Sequence, residues 1–137
     1  MAVLRDRPYS NSNFLVDLGD GDVHSVAAGF SEVVFPTFAV DAGEADEHTA
    51  AHRLILKRGA IGALNLYAWW HKARRGKAPQ RRTVKVELLG DDRATVVLTW
   101  RFRNARPVSL TYSPLHASEG GLLIETLELA FDSVEMR

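Results

Sequence analysis

Few residues in this sequence stand at spacings that suit chemistry. His48 and His52 lie four apart beside Glu44, Asp46 and Glu47, and on a helix those imidazoles and carboxylates could ligate a divalent metal. The stretch lacks a His-Glu-x-x-His order, and a solvated or interfacial polar loop is the better reading. His24, His71 and His116 are each isolated. No serine sits in a nucleophile-elbow sequence. There is no cysteine to serve as nucleophile, thiolate ligand or disulfide partner. Gly59-Ala60-Ile61-Gly62 runs into Ala63-Leu64, without the Gly-Lys-Ser/Thr that a phosphate loop needs. These features predict a chain that is not an enzyme and has no cofactor, metal or catalytic residue.

One cluster points to a polymeric partner. Tyr67, Trp69 and Trp70 precede a run of cations from Lys72 to Arg82, which reads as a stacking platform beside a basic patch for nucleic acid. At helical spacing such aromatics more often anchor a core or an interface. The cations equally suit the end of a helix or an acidic partner.

Charge is strongly segregated although the net charge is zero. Residues 1–52 hold 2 Lys/Arg against 9 Asp/Glu, residues 53–106 hold 14 against 3, and residues 107–137 hold 1 against 5. A dedicated nucleic-acid binder carries a basic excess overall. Separated signs that sum to zero favour self-association, because complementary patches steer identical subunits together. At 137 residues the chain fits one domain able to bury a core. No apolar run approaches the ~20 residues of a membrane span, and the N-terminus shows no apolar signal-peptide region. Cytoplasmic assembly, without stable membrane association, is the expectation.

The elements that would carry these residues are mostly strands. Phe14, Val16 and Leu18 alternate with polar neighbours before a Gly19-Asp20-Gly21-Asp22 turn, and the next strand is expected from Val23 to about Val34. Val84, Val86 and Leu88 alternate with Lys85 and Glu87, and Gly90-Asp91-Asp92-Arg93 closes a second hairpin. Val96, Leu98, Trp100 and Phe102 mark a strand over 94–103; Val108, Leu110 and Tyr112 continue the alternation beyond Pro107, whose missing N–H suggests a strand start or a sheet edge. Leu127, Leu129 and Phe131 alternate in the last strand. Only 62–76 follows a helical period, with Ala63, Leu66, Tyr67, Trp70 and Arg74 as its stripe and cations in the last turn before Gly76. The predicted class is mainly β: a β-barrel or sandwich with one flanking α-helix. Residues 35–52 begin apolar and turn acidic without a core pattern, which predicts a projecting β-hairpin or arm.

The order of pieces then resembles a known family. Asn11-Ser12-Asn13-Phe14, Gly29-Phe30-Ser31-Glu32-Val33, Leu56-Lys57-Arg58-Gly59, the Leu66/Trp69 helix, Trp100, Asn104-Ala105-Arg106-Pro107 and Glu125-Thr126-Leu127-Glu128-Leu129-Ala130-Phe131 follow one another. From about Tyr9 to Val134 this resembles the tail-tube proteins of contractile phages and phage-tail-like injection systems, R-type pyocins among them. The resemblance implies a barrel similar to the haemolysin-coregulated tube protein of type VI secretion. It implies hexameric homo-oligomer rings joined by strands and stacked around a lumen, a tube driven through a target envelope by a contracting sheath. Implied partners are further copies, sheath subunits, baseplate or hub proteins, tube-terminating proteins, and cargo or DNA in the lumen. The implied place is a virion or released particle.

Carried over by position, residues 35–55 match the hairpin that contacts the next ring, with Phe35, Phe38, Val40, Asp41, Glu44, Asp46, His48 and His52 as its expected stacking residues. Glu125, Leu127, Leu129 and Phe131 are the expected strand-mediated subunit interface. Where many relatives carry a longer, basic return strand, this chain reads His48-Thr49-Ala50-Ala51-His52-Arg53. The alternatives are a tube-initiator ring at the baseplate end, or a nucleic-acid-binding β-barrel using the basic 72–85 region.

Overall fold

The computed structural model describes residues 2–20, 29–40, 53–76 and 81–137. Within them the elements run β1 (Phe14–Asp17), β2 (Glu32–Val34), β3 (Arg53–Gly59), α1 (Asn65–Arg74), β4 (Arg82–Leu89), β5 (Val96–Tyr112), β6 (Ile124–Ala130) and β7 (Ser133–Met136). The expected mainly β class with one helix is what forms. Every pairing is antiparallel, in the order β1-β4-β5-β6-β3-β2, with β7 beside β5. Of the strand expected over 23–34, residues 29–34 are described and only Glu32–Val34 forms strand, as β2; residues 23–28 lie outside the described residues.

The largest departure from expectation is β5. A strand ending near Arg103 and another starting after Pro107 are in fact one strand of 17 residues. It survives Pro107 because it bends there. Asn104 takes a φ of 56°, and the register with β6 shifts between Pro107 and Ser109. A bulge spares the ladder the N–H that proline lacks. Before the bend β5 pairs with β4 and β7; after it, with β6. The two halves thereby fold onto one core. Val16, Val84, Val86 and Phe102 come from one half, Leu54, Leu56, Leu127 and Leu129 from the other, and Leu66 and Trp69 from the helix.

Alternation at the start of β5 is also shifted. Leu88 pairs with Leu98 and Leu89 with Val96, so Val97 is the extra residue of a bulge. Val97 is buried while Val96 is exposed, the reverse of the expected face.

The helix begins three residues later than the period suggests. Gly62 has a φ of 87°, which a helix excludes, and Gly76 closes the other end at 65° with its N–H donated to the Ala73 carbonyl at 3.2 Å. The buried stripe is Leu66 and Trp69 rather than Tyr67 and Trp70. Tyr67 stacks on His71 with ring centroids 5.5 Å apart, and the Arg74 guanidinium lies over Trp70. Arg82 covers the Trp69 ring at 4.4 Å, where the cation–π contact and burial tie the helix to the start of β4.

The β4–β5 turn is organised by one carboxylate. Asp92 accepts hydrogen bonds from the Ala94 and Thr95 backbone N–H groups at 3.0 and 2.9 Å and from the Thr95 hydroxyl. Bonds to the charged form hold its pKa at about 2, against an ordinary 3.8, with the Thr95 hydroxyl the largest cause. A depressed carboxylate stabilises the fold fully above its unfolded value and loses that contribution as pH falls toward its folded value. Asp92→Ala is therefore expected to flatten the acid limb of stability between roughly pH 4 and pH 2. Thermal midpoints of both proteins across that range check this; parallel acid limbs would refute it.

Candidate assembly surfaces

Strand β6 does not lie where a subunit interface needs it. Its residues pair with β3 from Arg53↔Ala130 to Gly59↔Ile124 on one side and with β5 from Arg106↔Ala130 to Tyr112↔Glu125 on the other. Both edges are taken, so β6 has no free ladder for a neighbouring chain. Leu127 and Leu129 are fully buried, and Phe131 packs edge-on against Phe102 with centroids 5.0 Å apart. Within the chain, Glu125, Leu127 and Leu129 of the expected interface thus lie on an internal strand, and Phe131 follows just past its end. Alternation reveals which face of a strand is apolar, but not whether its edges are free.

Glu125 has a different role. Its Oε1 accepts from Arg58 Nε at 3.1 Å and its Oε2 from the Tyr112 hydroxyl at 2.8 Å, and both ion-pair partners are nearly inaccessible, at 2% and 3% exposure. Arg58 Nη2 also donates to Asn65 Oδ1 at 2.7 Å, and its guanidinium faces the Phe30 ring. The network ties the first residue of the helix to the centre of the sheet. Burial first, and the Glu125 bond second, push the Tyr112 hydroxyl above its ordinary pKa.

At the opposite end of β6, Asp132 gathers Arg106 at 2.8 Å, Asn104 at 3.0 Å and Arg81 at 3.3 Å beside the β5 bend. Chiefly through the Arg106 bond, the carboxyl is held below the usual range. This cluster is solvent-exposed and locks the corner electrostatically. It answers part of the charge segregation, pairing cations of the basic middle with an acidic residue of the C-terminal third.

The arm residues divide. Phe35 is exposed at 39% with its ring 4.7 Å from that of Trp100, whereas Phe38 and Val40 are more exposed, Val40 at 98%. Asp41, Glu44, Asp46, His48 and His52 lie outside the described residues. Arg53, Leu54 and Ile55 belong to β3, so the arm expected over 35–55 stops short of its C-terminal boundary. Between β1 and β2 a cleft of about 670 Å³ opens, lined by Phe14, Val33, Phe35, Val86, Leu88 and Trp100 under a polar rim.

A second exposed apolar group was not anticipated. Ile61, Leu64, Leu115 and Leu122 are all exposed, Leu115 and Leu122 at 83% and 82%. The Ala60 N–H donates to the Leu123 carbonyl at 2.8 Å and the Ser113 N–H to the Ile124 carbonyl at 3.0 Å, so the 60–64 and 113–123 loops leave the same end of the sheet together. The available signal was leucine inside segments of turn composition. Among the described residues no group of His, Asp and Glu could hold a metal, and no helix is long and apolar enough to cross a membrane.

The chain superposes on Hcp1 from Flavobacterium johnsoniae with a TM-score of 0.55 at 16% identity, covering 90% of this chain and 93% of that one. It superposes on a chain of the PVC sheath-tube complex of an extracellular contractile injection system at 0.76 and 20% identity, covering 95% and 91%. On the tube terminating cap of the anti-feeding prophage it gives 0.78 at 18% identity, covering 100% and 95%. Residues 10–135 match the T4-like virus tail tube protein gp19 family, and the chain belongs to that family. No curated protein matches it. The protein is a tail tube protein, a structural component of a phage tail or phage-tail-like contractile particle, as the resemblance implied.

Proposed function

We propose that this chain forms hexameric rings that stack into an inner tube, which a contracting sheath drives through a target envelope without any bond chemistry in the subunit. The observation that carries this reading is the family match over nearly the whole chain. The sheet order supports it: among the described residues β1 and β2 end the sheet and each pairs on one side. An open edge is a template for pairing with another copy, and ring closure removes the hazard it poses. The strand joints between subunits therefore fall at the ends of the sheet rather than at β6. Residues 1–137 act as one tail-tube domain, assembled in the cytoplasm, with sheath, baseplate and terminating proteins as partners and cargo or DNA in the lumen.

The segment from Phe35 to His52 reaches the next ring. Phe38 and Val40 supply its described apolar contacts, with Asp41, Glu44, Asp46, His48 and His52 as its further expected contacts. The experiment is native mass measurement with negative-stain imaging of the purified protein. A hexameric mass and long tubes are expected. Deleting residues 40–50 is expected to keep the ring mass and abolish tubes; undiminished tubes would remove the arm from the stacking contact.

A second reading is a specialised ring at one end of the tube, such as an initiator at the baseplate. The likeness to a terminating cap favours keeping it, since one fold can then serve the end as well as the shaft. Isolated rings that never stack would select it. DNA binding that weakens steeply with salt, without rings, would instead select a nucleic-acid barrel.

A further inference from the structure

We infer that the surface receiving the stacking segment is the apolar end of the sheet formed by the 60–64 and 113–123 loops of a copy in the adjacent ring. The inference rests on the stacking reading above and names the partner surface for it. Three observations carry it.

First, the two surfaces leave opposite ends of one sheet. Glu32 pairs with Lys57 and Val34 with Ile55, so the chain leaving β2 toward Phe38 and Val40 departs past the Arg53 end of β3. The Gly59 end of β3 is the one that pairs with Ile124 and carries Ile61, Leu64, Leu115 and Leu122. Unlike surfaces at opposite ends of a subunit meet head to tail, and that contact propagates along an axis.

Second, both surfaces are apolar and exposed, as interaction sites are. Third, they match in charge by lacking it. Residues 33–40 contain no Asp, Glu, Lys or Arg, and 59–64 with 112–123 contain only Glu119, in a chain that is 25% charged. Docking residues 33–40 on the charged faces elsewhere would bury unpaired ions; docking them on these loops brings only Glu119 near the contact. The Arg58–Glu125–Asn65 network beneath the receiving loops holds the root of the 60–64 segment in place.

The absence of native cysteine makes the contact directly testable. Rings of Val40→Cys and rings of Leu122→Cys are prepared separately, mixed under mild oxidation and resolved without reductant. A covalent dimer is expected in the mixture and at least ~10-fold less in either ring alone. Leu115→Asp with Leu122→Asp is expected to leave ring mass unchanged and abolish tubes. Tubes in the cysteine mixture without the covalent dimer would overturn this inference and leave the stacked-tube reading standing. Full-length tubes from the double aspartate variant would do the same. A wild-type chain that never stacks would overturn both.

Discussion

Glu125→Ala is expected to destabilise the protein by about 3–5 kcal/mol, because it leaves a buried guanidinium facing the space its carboxylate filled. That is a large fraction of the roughly 5–15 kcal/mol that holds a domain together. The expectation follows from inaccessibility on both sides of the pair, not from the pair's existence: an exposed ion pair is worth at most about 1 kcal/mol. The Tyr112 hydroxyl would lose its acceptor at the same time. The control is Arg58→Met with Glu125→Leu, which removes both charges and refills the volume. Such replacements are commonly neutral or stabilising, so the double variant is expected to recover most of the loss in urea unfolding. A single variant within about 1 kcal/mol of wild type would show that solvent reaches Arg58. A double variant as unstable as the single would show that Asn65 and the helix start depend on the guanidinium itself.

The second large effect is Leu127→Pro. Every residue of β6 from Glu125 to Ala130 faces a partner on both sides, so the lost N–H breaks a ladder whichever neighbour it served. The orphaned carbonyl costs about 1–3 kcal/mol, and the loss of a fully buried leucine adds about 2–5 kcal/mol. Together these rival the stability of the domain, and the expected result is insoluble or unfolded protein. Leu127→Met keeps volume and donor and is expected to stay folded. A folded monomeric proline variant that had lost only its rings would restore β6 as an intersubunit strand.

How far the sequence carries is clearest in β4 and the first half of β5. Val84, Val86, Trp100 and Phe102 alternate with charged or hydroxylated neighbours, and period-two burial follows directly from pleat geometry. The helix could be placed because its period differs, although its start was misplaced by reading Gly62 as a helical residue rather than as a left-handed one. Pairing partners were harder to see. Leu127 and Leu129 look the same whether the strand ends a sheet or crosses its middle, since the distinction lies in backbone neighbours supplied from far along the chain. Pro107 was misleading for a related reason: proline disrupts a straight ladder, and here a bulge absorbs it. Leu115 and Leu122 were hidden among Pro, Ser and Gly, where apolar side chains have no period to betray them. The sequence places Arg58 only within the Leu56–Gly59 piece and Glu125 at an expected subunit interface; Arg58↔Glu125 pairing brings the two together inside the chain.

The bend in β5 also bears on how the subunit responds to load. Where two sheets are joined by a loop, each can melt or tilt without the other, and the loop is the hinge. Here the joint is itself a paired strand, with β4 and β7 engaged before the corner and β6 after it. No slack segment separates the halves at that corner, so axial thrust applied to one is borne by the other through the covalent backbone. Unzipping either half exposes the strand shared by both, which couples the unfolding of the two halves. In a stacked tube of the kind proposed, such units are expected to yield as whole subunits rather than by softening at their corners.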